Sequence, residues 1–206
     1  MVNNKGGLHM WKRFVSIGDS FTEGIGDEVE GIALKSWVDH FVQLCVNDME
    51  YANFAKRGLV TKEIRSQQLE KALTFNPDLV SLIAGANDVL KGRWNHQEYK
   101  NDMEFMIDTL SKTDADIIIA NLPDFTVRLP FSSEKKQMLK KQLLEANEVI
   151  LSLSTEYKLH HVDFWKHPLV NDNSLWSTDL IHPNSKGYVK VAELIHSSLP
   201  VHDSSK

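Results

Sequence analysis

A serine, an aspartate and a histidine in two short stretches of the chain have the side chains that nucleophilic catalysis requires. Ser20 follows an apolar run in 14-FVSIGDSFTEGIGD-27, and Asp179 and His182 lie in 177-STDLIHPNSKGY-188. The Asp-x-x-His spacing lets the carboxylate fold back over one turn and accept the Nδ1–H of the imidazole. The other ring nitrogen can then take a proton from a serine hydroxyl, which attacks nothing until a base removes that proton. Taken alone, each stretch favours a simpler role, namely a helix N-cap for the serine and surface hydrogen bonding for the pair.

Five short apolar runs predict the strands that must position these side chains. The third and fourth runs are almost continuously apolar, which is typical of central strands covered on both faces. Segments with helical period lie between the runs. Strands that alternate with helices predict a parallel sheet in a three-layer α/β/α sandwich. The runs are 13-RFVSI-17, 50-EYANF-54, 78-DLVSLIA-84, 116-DIIIANL-122 and 159-LHHVDF-164.

The carboxyl ends of these strands are where functional residues are expected, because ligands of such sheets bind beyond that edge. Ser20 follows the first predicted strand, Gly58 the second and Asn87 the third, while the Asp-x-x-His pair lies in the long loop after the fifth. The backbone N–H of Gly58 and the side-chain amide of Asn87 would join the Ser20 N–H as donors to an oxyanion. Taken singly, Gly58 also fits an ordinary turn and Asn87 a helix cap.

Four blocks of the sequence together resemble the GDSL or SGNH hydrolase superfamily, in its small bacterial esterase and lysophospholipase-like branch. The resemblance implies a flavodoxin-like sheet of five parallel strands in the order 2-1-3-4-5. It implies that Ser20 is the nucleophile, that His182 is the base oriented by Asp179, and that Ser20, Gly58 and Asn87 form the oxyanion hole. The blocks, in the order in which the family has them, are 18-GDSFTEG-24, 53-NFAKRG-58, 85-GAND-88 and 179-DLIH-182.

The substrate implied by the resemblance is a small carboxylic ester, cleaved without a metal or a cofactor. A short-chain or acetyl ester, a lysophospholipid and an acyl thioester all fit. Two positions depart from the usual blocks: Ala86 replaces a glycine, and Lys56 and Arg57 precede Gly58. If Lys56 or Arg57 projects into the cleft, it would favour an anionic substrate; a solvated pair of charges is the alternative.

A second class of function fits the same architecture. A non-catalytic, flavodoxin-like module could bind an anionic small ligand, such as FMN or a phosphate, at the same edge of the sheet. Binding alone would not require a serine, an oxyanion-hole set and an Asp-His pair together, so the sequence favours the hydrolase.

Composition limits the partners and the compartment. A net charge of -5 and scattered basic residues argue against a nucleic-acid partner. The single cysteine excludes a disulfide framework and a multi-cysteine zinc site. We expect no transmembrane segment, because no run approaches the ~20 apolar residues that a membrane span needs. The first residues lack the apolar region of a signal peptide, so we expect a cytoplasmic protein.

The domain organisation is predicted to be simple. No repeat or linker divides the 206 residues, a length that suits one domain. We predict a single hydrolase domain over residues 10–200, a disordered leader or expression remnant at residues 1–9, and a tail at residues 201–206.

Overall fold

The structure, a computed structural model, describes residues 11–45 and 48–200. The predicted leader at residues 1–9 and tail at residues 201–206 lie outside the described residues. Strands and helices alternate along the chain, as the sequence predicts. The elements are β1 (Arg13–Gly18), α1 (Ser20–Glu23), α2 (Trp37–Leu44), β2 (Glu50–Asn53), α3 (Thr61–Thr74), β3 (Leu79–Ile83), α4 (Ala86–Leu90), α5 (His96–Ser111), β4 (Asp116–Ala120), α6 (Ser133–Tyr157), β5 (His160–Val162) and α7 (Ser185–Ser198), with 3-10 turns at Phe125–Val127, Pro168–Asn171 and Asn173–Leu175.

The five strands form one parallel sheet in the order β2-β1-β3-β4-β5, which confirms the predicted order. The ends of β4 and β5 differ from the prediction, because β4 ends at Ala120 and β5 covers only His160–Val162. The physical reason is hydrogen bonding by two side chains. Asn147 of α6 bonds both the N–H and the carbonyl of Leu122, at 2.7 and 2.9 Å, and the second side chain is that of Asn121. Its Oδ1 accepts the N–H groups of Phe164, at 2.6 Å, and Trp165, at 3.0 Å, so these groups bond to a side chain instead of a strand ladder.

The core has two main parts, one on each face of the sheet, and a small third cluster consists of Val170, Leu175 and Trp176. Along β1, Val15 and Ile17 pack with residues of α3, α5 and α6, whereas Phe14 packs with residues of α2 and α7. This alternation follows from the period of two along a strand. Both faces of β1 and β3 are covered by helices, which explains why their sequences carry few polar residues.

Membrane-spanning helices are not found in residues 11–45 and 48–200, where no helix is both long and apolar enough to cross a bilayer. The longest helix, α6, has 25 residues but carries charged side chains along its length.

Candidate active site

The turn between β1 and α1 presents the hydroxyl of Ser20. Asp19 is the N-cap of α1, and its Oδ1 accepts the N–H of Phe21 at 3.1 Å. Since Asp19 caps the helix, the Ser20 side chain is not needed for capping. Its Oγ lies 2.7 Å from Nε2 of His182, a residue 162 positions further along the chain.

The turn from Asp179 to His182 orients the imidazole. Oδ2 of Asp179 lies 2.5 Å from Nδ1 of His182, and Oδ1 accepts the backbone N–H groups of Ile181, at 2.9 Å, and His182, at 3.0 Å. Burial raises the pKa of the Asp179 carboxyl, but these hydrogen bonds outweigh it and hold the pKa below its ordinary value. With the Nδ1–H donating to the carboxylate, Nε2 can accept the hydroxyl hydrogen of Ser20.

Pro183 and Asn184 connect this turn to a helix. Asn184 is the N-cap of α7, and its Oδ1 accepts the N–H of Gly187 at 2.9 Å. The histidine therefore lies directly before a capped helix.

The loop after Ser20 is hydrogen-bonded to the loop before His182. Asp27 accepts the N–H of Thr178 at 2.7 Å and donates its own N–H to Oγ of Ser177 at 2.9 Å. Gly26 lies where the two loops touch, since a Cβ at that position would come within 2.1 Å of the Pro183 carbonyl oxygen. A side chain at Gly26 would push the loops apart, so this glycine permits the contact that brings the serine and the histidine together.

Gly58 and Asn87 follow β2 and β3, the two strands that flank β1 in the sheet. Gly58 has φ +80, a left-handed conformation that suits glycine, and its carbonyl accepts a hydrogen bond from Nζ of Lys91. Among the described residues, the backbone N–H groups of Ser20 and Gly58 donate no hydrogen bond. Nδ2 of Asn87 donates to the Leu59 carbonyl at 3.0 Å and lies 3.3 Å from Oδ2 of Asp19. The cap of α4 is Gly85, so the Asn87 side chain is not a helix cap.

Asp19 is a buried carboxyl beside the serine. Its side chain is among the buried polar groups, with 3% of the residue exposed. Burial raises the pKa of Asp19 to about 6, although the N–H of Phe21 and the proximity of His182 oppose the rise.

A cavity of about 160 Å³ lies beside the Ser20 hydroxyl. Its wall is mostly apolar, and Ser20 and His182 are among the residues that line it. The lining residues include Phe21, Ile83, Leu90, Leu122, Phe125, Phe164, Trp176 and Ile181, together with Ser20, Asn87 and His182. Such a wall suits an apolar part of a ligand.

Metal-ligand clusters are not found in the part of the chain that the structure describes: no group of three or more His, Cys, Asp or Glu side chains there could hold an ion.

Comparison with known proteins identifies the family. The family model described as "GDSL-like Lipase/Acylhydrolase family" matches residues 16–190. The chain belongs to this family. The match spans both the serine turn and the turn from Asp179 to His182.

The chain is also similar in sequence or fold to named proteins. An acetylxylan esterase of Xylanibacter ruminicola is 26% identical, in a match that covers 91% of this chain and 43% of the relative. The chain thus spans less than half the length of that relative. A lipase/acylhydrolase from Enterococcus faecalis has a TM-score of 0.73 at 21% identity over 90% of this chain and 94% of its own. An acetyl xylan esterase from Geobacillus stearothermophilus has a TM-score of 0.71 at 15% identity over 91% and 94%. At these identities the two structures share the fold of the GDSL-like family with this chain.

Lys56 and Arg57, which depart from the usual second block of the family, lie away from the cavity wall. Nε and Nη2 of Arg57 contact the carboxylate of Glu23 at 3.2 Å, and the N–H of Arg57 donates to the same carboxylate at 2.5 Å. Lys56 is exposed. The structure therefore places Arg57 on an ion pair with α1 rather than in the cleft.

Several residues near this GDSL-like site were not found from the sequence. Gln68 of α3 is buried, and its amide bonds both the N–H and the carbonyl of Gly18, at 2.8 and 2.9 Å. Asn121 lines the cavity. The rule that functional residues follow strand ends did not select Asn121, because the predicted fourth strand extended to residue 122 and placed Asn121 inside the strand. Gln68 has no such signal, because nothing in a helical stretch marks which polar side chain turns inwards.

Proposed function

We propose that the protein is a serine hydrolase that cleaves small carboxylic esters. The observation that carries the proposal is the line of two hydrogen bonds from Ser20 Oγ through the His182 ring to Asp179, at 2.7 and 2.5 Å. A base within hydrogen-bond reach of the hydroxyl, itself oriented by a carboxylate, is the arrangement that activates a serine. Membership of the GDSL-like lipase/acylhydrolase family supports the same reaction.

The reaction would proceed in two halves. Ser20 Oγ attacks the ester carbonyl carbon while Nε2 of His182 takes the hydroxyl proton, and Asp179 stabilises the resulting imidazolium. His182 then protonates the alcohol oxygen as the carbon–oxygen bond breaks, which leaves an acyl group on Ser20. A water molecule repeats the sequence: His182 takes its proton, the acid is released, and the proton returns to Ser20.

The negative charge that develops on the ester carbonyl oxygen must be stabilised by hydrogen-bond donors. We assign this role to the N–H groups of Ser20 and Gly58 and to Nδ2 of Asn87. One hydrogen of the Asn87 amide bonds to the Leu59 carbonyl at 3.0 Å, and the contact of Nδ2 with Asp19, at 3.3 Å, is long for a hydrogen bond. The second hydrogen is therefore the one that a substrate oxyanion would capture.

The cavity limits the acyl group. An engineered apolar cavity of about 150 Å³ holds one benzene molecule, so a cavity of about 160 Å³ has room for roughly six carbon atoms. An acetyl or short-chain acyl group fits this space, whereas the chain of a palmitoyl ester would extend beyond it. A relative named acetylxylan esterase supports the short end of the range. A thioester carries the same acyl group, so the choice between alcohol and thiol depends on groups outside the cavity.

A fluorophosphonate probe and an ester series test the proposal. Wild-type protein should be labelled covalently and should hydrolyse p-nitrophenyl acetate and butyrate faster than the palmitate. Ser20→Ala should lose labelling and lower kcat by roughly 10⁴–10⁶. Absence of labelling and of hydrolysis in folded wild-type protein would favour the non-catalytic binding module, while faster cleavage of palmitate would refute the acyl assignment. The expected cytoplasmic location is part of the proposal, and cell fractionation tests it.

A further inference from the structure

Arg128 joins three parts of the long loop that carries the Asp-His turn. Its Nη1 donates to the Val170 carbonyl at 2.6 Å, and its Nε donates to the Leu180 carbonyl at 3.2 Å. Its guanidinium carbon lies 3.6 Å from the centre of the Trp176 ring, a close cation–π contact. Arg128 itself follows the turn Phe125–Val127 after β4, so a side chain from another part of the sheet edge holds this loop.

The peptide unit between Leu180 and Ile181 connects Arg128 to the proposed catalytic carboxylate. The carbonyl of this unit accepts from Arg128, and its N–H donates to Oδ1 of Asp179 at 2.9 Å. One peptide plane is therefore held at one end by the guanidinium and at the other end by the carboxylate. Leu180 has φ 63, a left-handed conformation that an L-residue keeps only where its surroundings enforce it.

The Arg128 guanidinium contacts backbone carbonyls and an aromatic ring rather than a carboxylate. None of the ion pairs among the described residues includes Arg128, and the nearby Asp124 pairs with Lys140 at 3.0 Å. Nη2 is buried and has no hydrogen-bond partner within those residues. Burial lowers the pKa of Arg128 to about 10, against the opposing charge of Asp124, so the group stays charged at neutral pH.

We propose that Arg128 is a positioning residue for the reaction: by fixing the Leu180–Ile181 peptide, it holds Asp179 at the distance and angle that orient His182 towards Ser20. The chain of contacts runs from the guanidinium through this peptide to the carboxylate, the imidazole and the hydroxyl. This inference rests on the proposed function. Arg128 acts through the turn and does not line the cavity.

Three variants distinguish an effect on the position of Asp179 from a loss of packing. They are Arg128→Met, Arg128→Lys and Arg65→Met. Methionine keeps an unbranched stem over Trp176 but has no donor, whereas lysine keeps the charge and loses the fork that reaches two carbonyls. Arg65 is a matched control, because its guanidinium also lies over an aromatic ring, that of Phe105, at 3.8 Å, and donates to Asp102 at 2.8 Å, without touching the proposed site.

The steady-state constants for p-nitrophenyl butyrate and the thermal midpoint are measured for each variant, with wild type and Ser20→Ala in parallel. We expect Arg128→Met to lower kcat ~10–100-fold with KM within about twofold, because a small misplacement of a catalytic group is costly while ground-state binding is unaffected. Arg128→Lys should fall between Arg128→Met and wild type. Arg65→Met should keep the wild-type kcat, although its thermal midpoint should fall about as far as that of Arg128→Met.

The outcomes distinguish this role from a structural one and from a failure of the proposed function. Wild-type kcat in folded Arg128→Met, or a loss of kcat that matches the unfolded fraction, would overturn the positioning role. If Arg128→Met does not fold, Arg128→Lys decides: a reduced kcat with a native circular dichroism spectrum supports the role, and a wild-type kcat overturns it. If folded wild-type protein cleaves no ester, the proposed function fails first and this role falls with it.

Discussion

Replacing the buried carboxyl of Asp19 by an amide should change how the stability of the protein depends on pH. Asp19 is 3% exposed, and burial raises its pKa to about 6 from the ordinary value of 3.8. A carboxyl whose pKa is raised by folding binds its proton more tightly in the native state than in the unfolded state. Its contribution to stability is therefore fully present below about pH 4 and is lost as the pH rises through about 6.

The size of the effect follows from the two pKa values. They differ by about two pH units, and each unit corresponds to ~1.4 kcal/mol, so the ionised carboxylate costs about 3 kcal/mol above pH 7. About 2 kcal/mol of this change falls between pH 4 and pH 7. An asparagine does not titrate, so the difference in unfolding free energy between Asp19→Asn and wild type should move by that amount in favour of the variant.

Asp19→Asn also replaces one carboxylate oxygen, either the one that accepts from the Phe21 N–H or the one 3.3 Å from Asn87 Nδ2, by an NH2 group that cannot accept. The loss of this acceptor lowers the unfolding free energy of the variant by an amount that does not vary with pH. The quantity to measure is therefore the change with pH of the difference in unfolding free energy between variant and wild type. Urea denaturation at unit steps from pH 4 to pH 8, followed by tryptophan fluorescence, gives the unfolding free energy of each protein at each pH. A difference that stays constant from pH 4 to pH 7 would refute the reasoning.

Asp163→Asn is the matched control for this experiment. Burial raises the pKa of Asp163, but hydrogen bonds from Asn121 and from the N–H of Lys166 outweigh it and hold the pKa below 3.8. The stability that Asp163 contributes is present above its unfolded pKa and is lost only as the pH falls below about 4. Apart from the titration of His161, whose pKa the Asp163 charge raises, the difference between Asp163→Asn and wild type should therefore be constant from pH 5 to pH 8.

Three further predictions concern the proposed reaction. Asn87→Ala should lower kcat on p-nitrophenyl acetate by ~10²–10³, because it removes one oxyanion donor; a wild-type kcat would remove Asn87 from the oxyanion hole. Asp179→Asn should lower kcat by ~10⁴ on the same ester while circular dichroism stays native, because the amide does not hold the required His182 tautomer; a change of less than tenfold would contradict the proposed role of Asp179. Gly26→Ala should cost ~1–3 kcal/mol of unfolding free energy and also lower kcat, since its Cβ would lie 2.1 Å from the Pro183 carbonyl oxygen; wild-type urea midpoint and kcat would show that the two loops yield without cost.

Much of the fold could be predicted from the sequence. The apolar runs at 78–84 and 116–122 identify buried central strands because a strand covered on both faces has almost no polar positions. Their alternation with helical segments predicts a parallel sheet, and the resemblance to a known family supplies the strand order, which the structure confirms. Strand ends were less predictable. β4 stops two residues early because the Asn147 side chain bonds both backbone groups of Leu122, and the Asn121 side chain, rather than another strand, accepts the N–H groups of Phe164 and Trp165.

The sequence by itself determined which residue types follow the strand ends, and so which residues are candidates for the chemistry. The hydrophobic periodicity that locates strands is a local property of the sequence. Residues that follow the strands of a parallel sheet lie at the same edge of that sheet. Only the tertiary structure decided how the candidates meet. It assigns the capping role to Asp19 and so leaves the Ser20 hydroxyl for His182, it directs Arg57 to Glu23, and it places Arg128 behind the turn of Asp179. These pairings join residues far apart in the chain, and they depend on how closely two loops approach, a distance that no local pattern of side chains encodes.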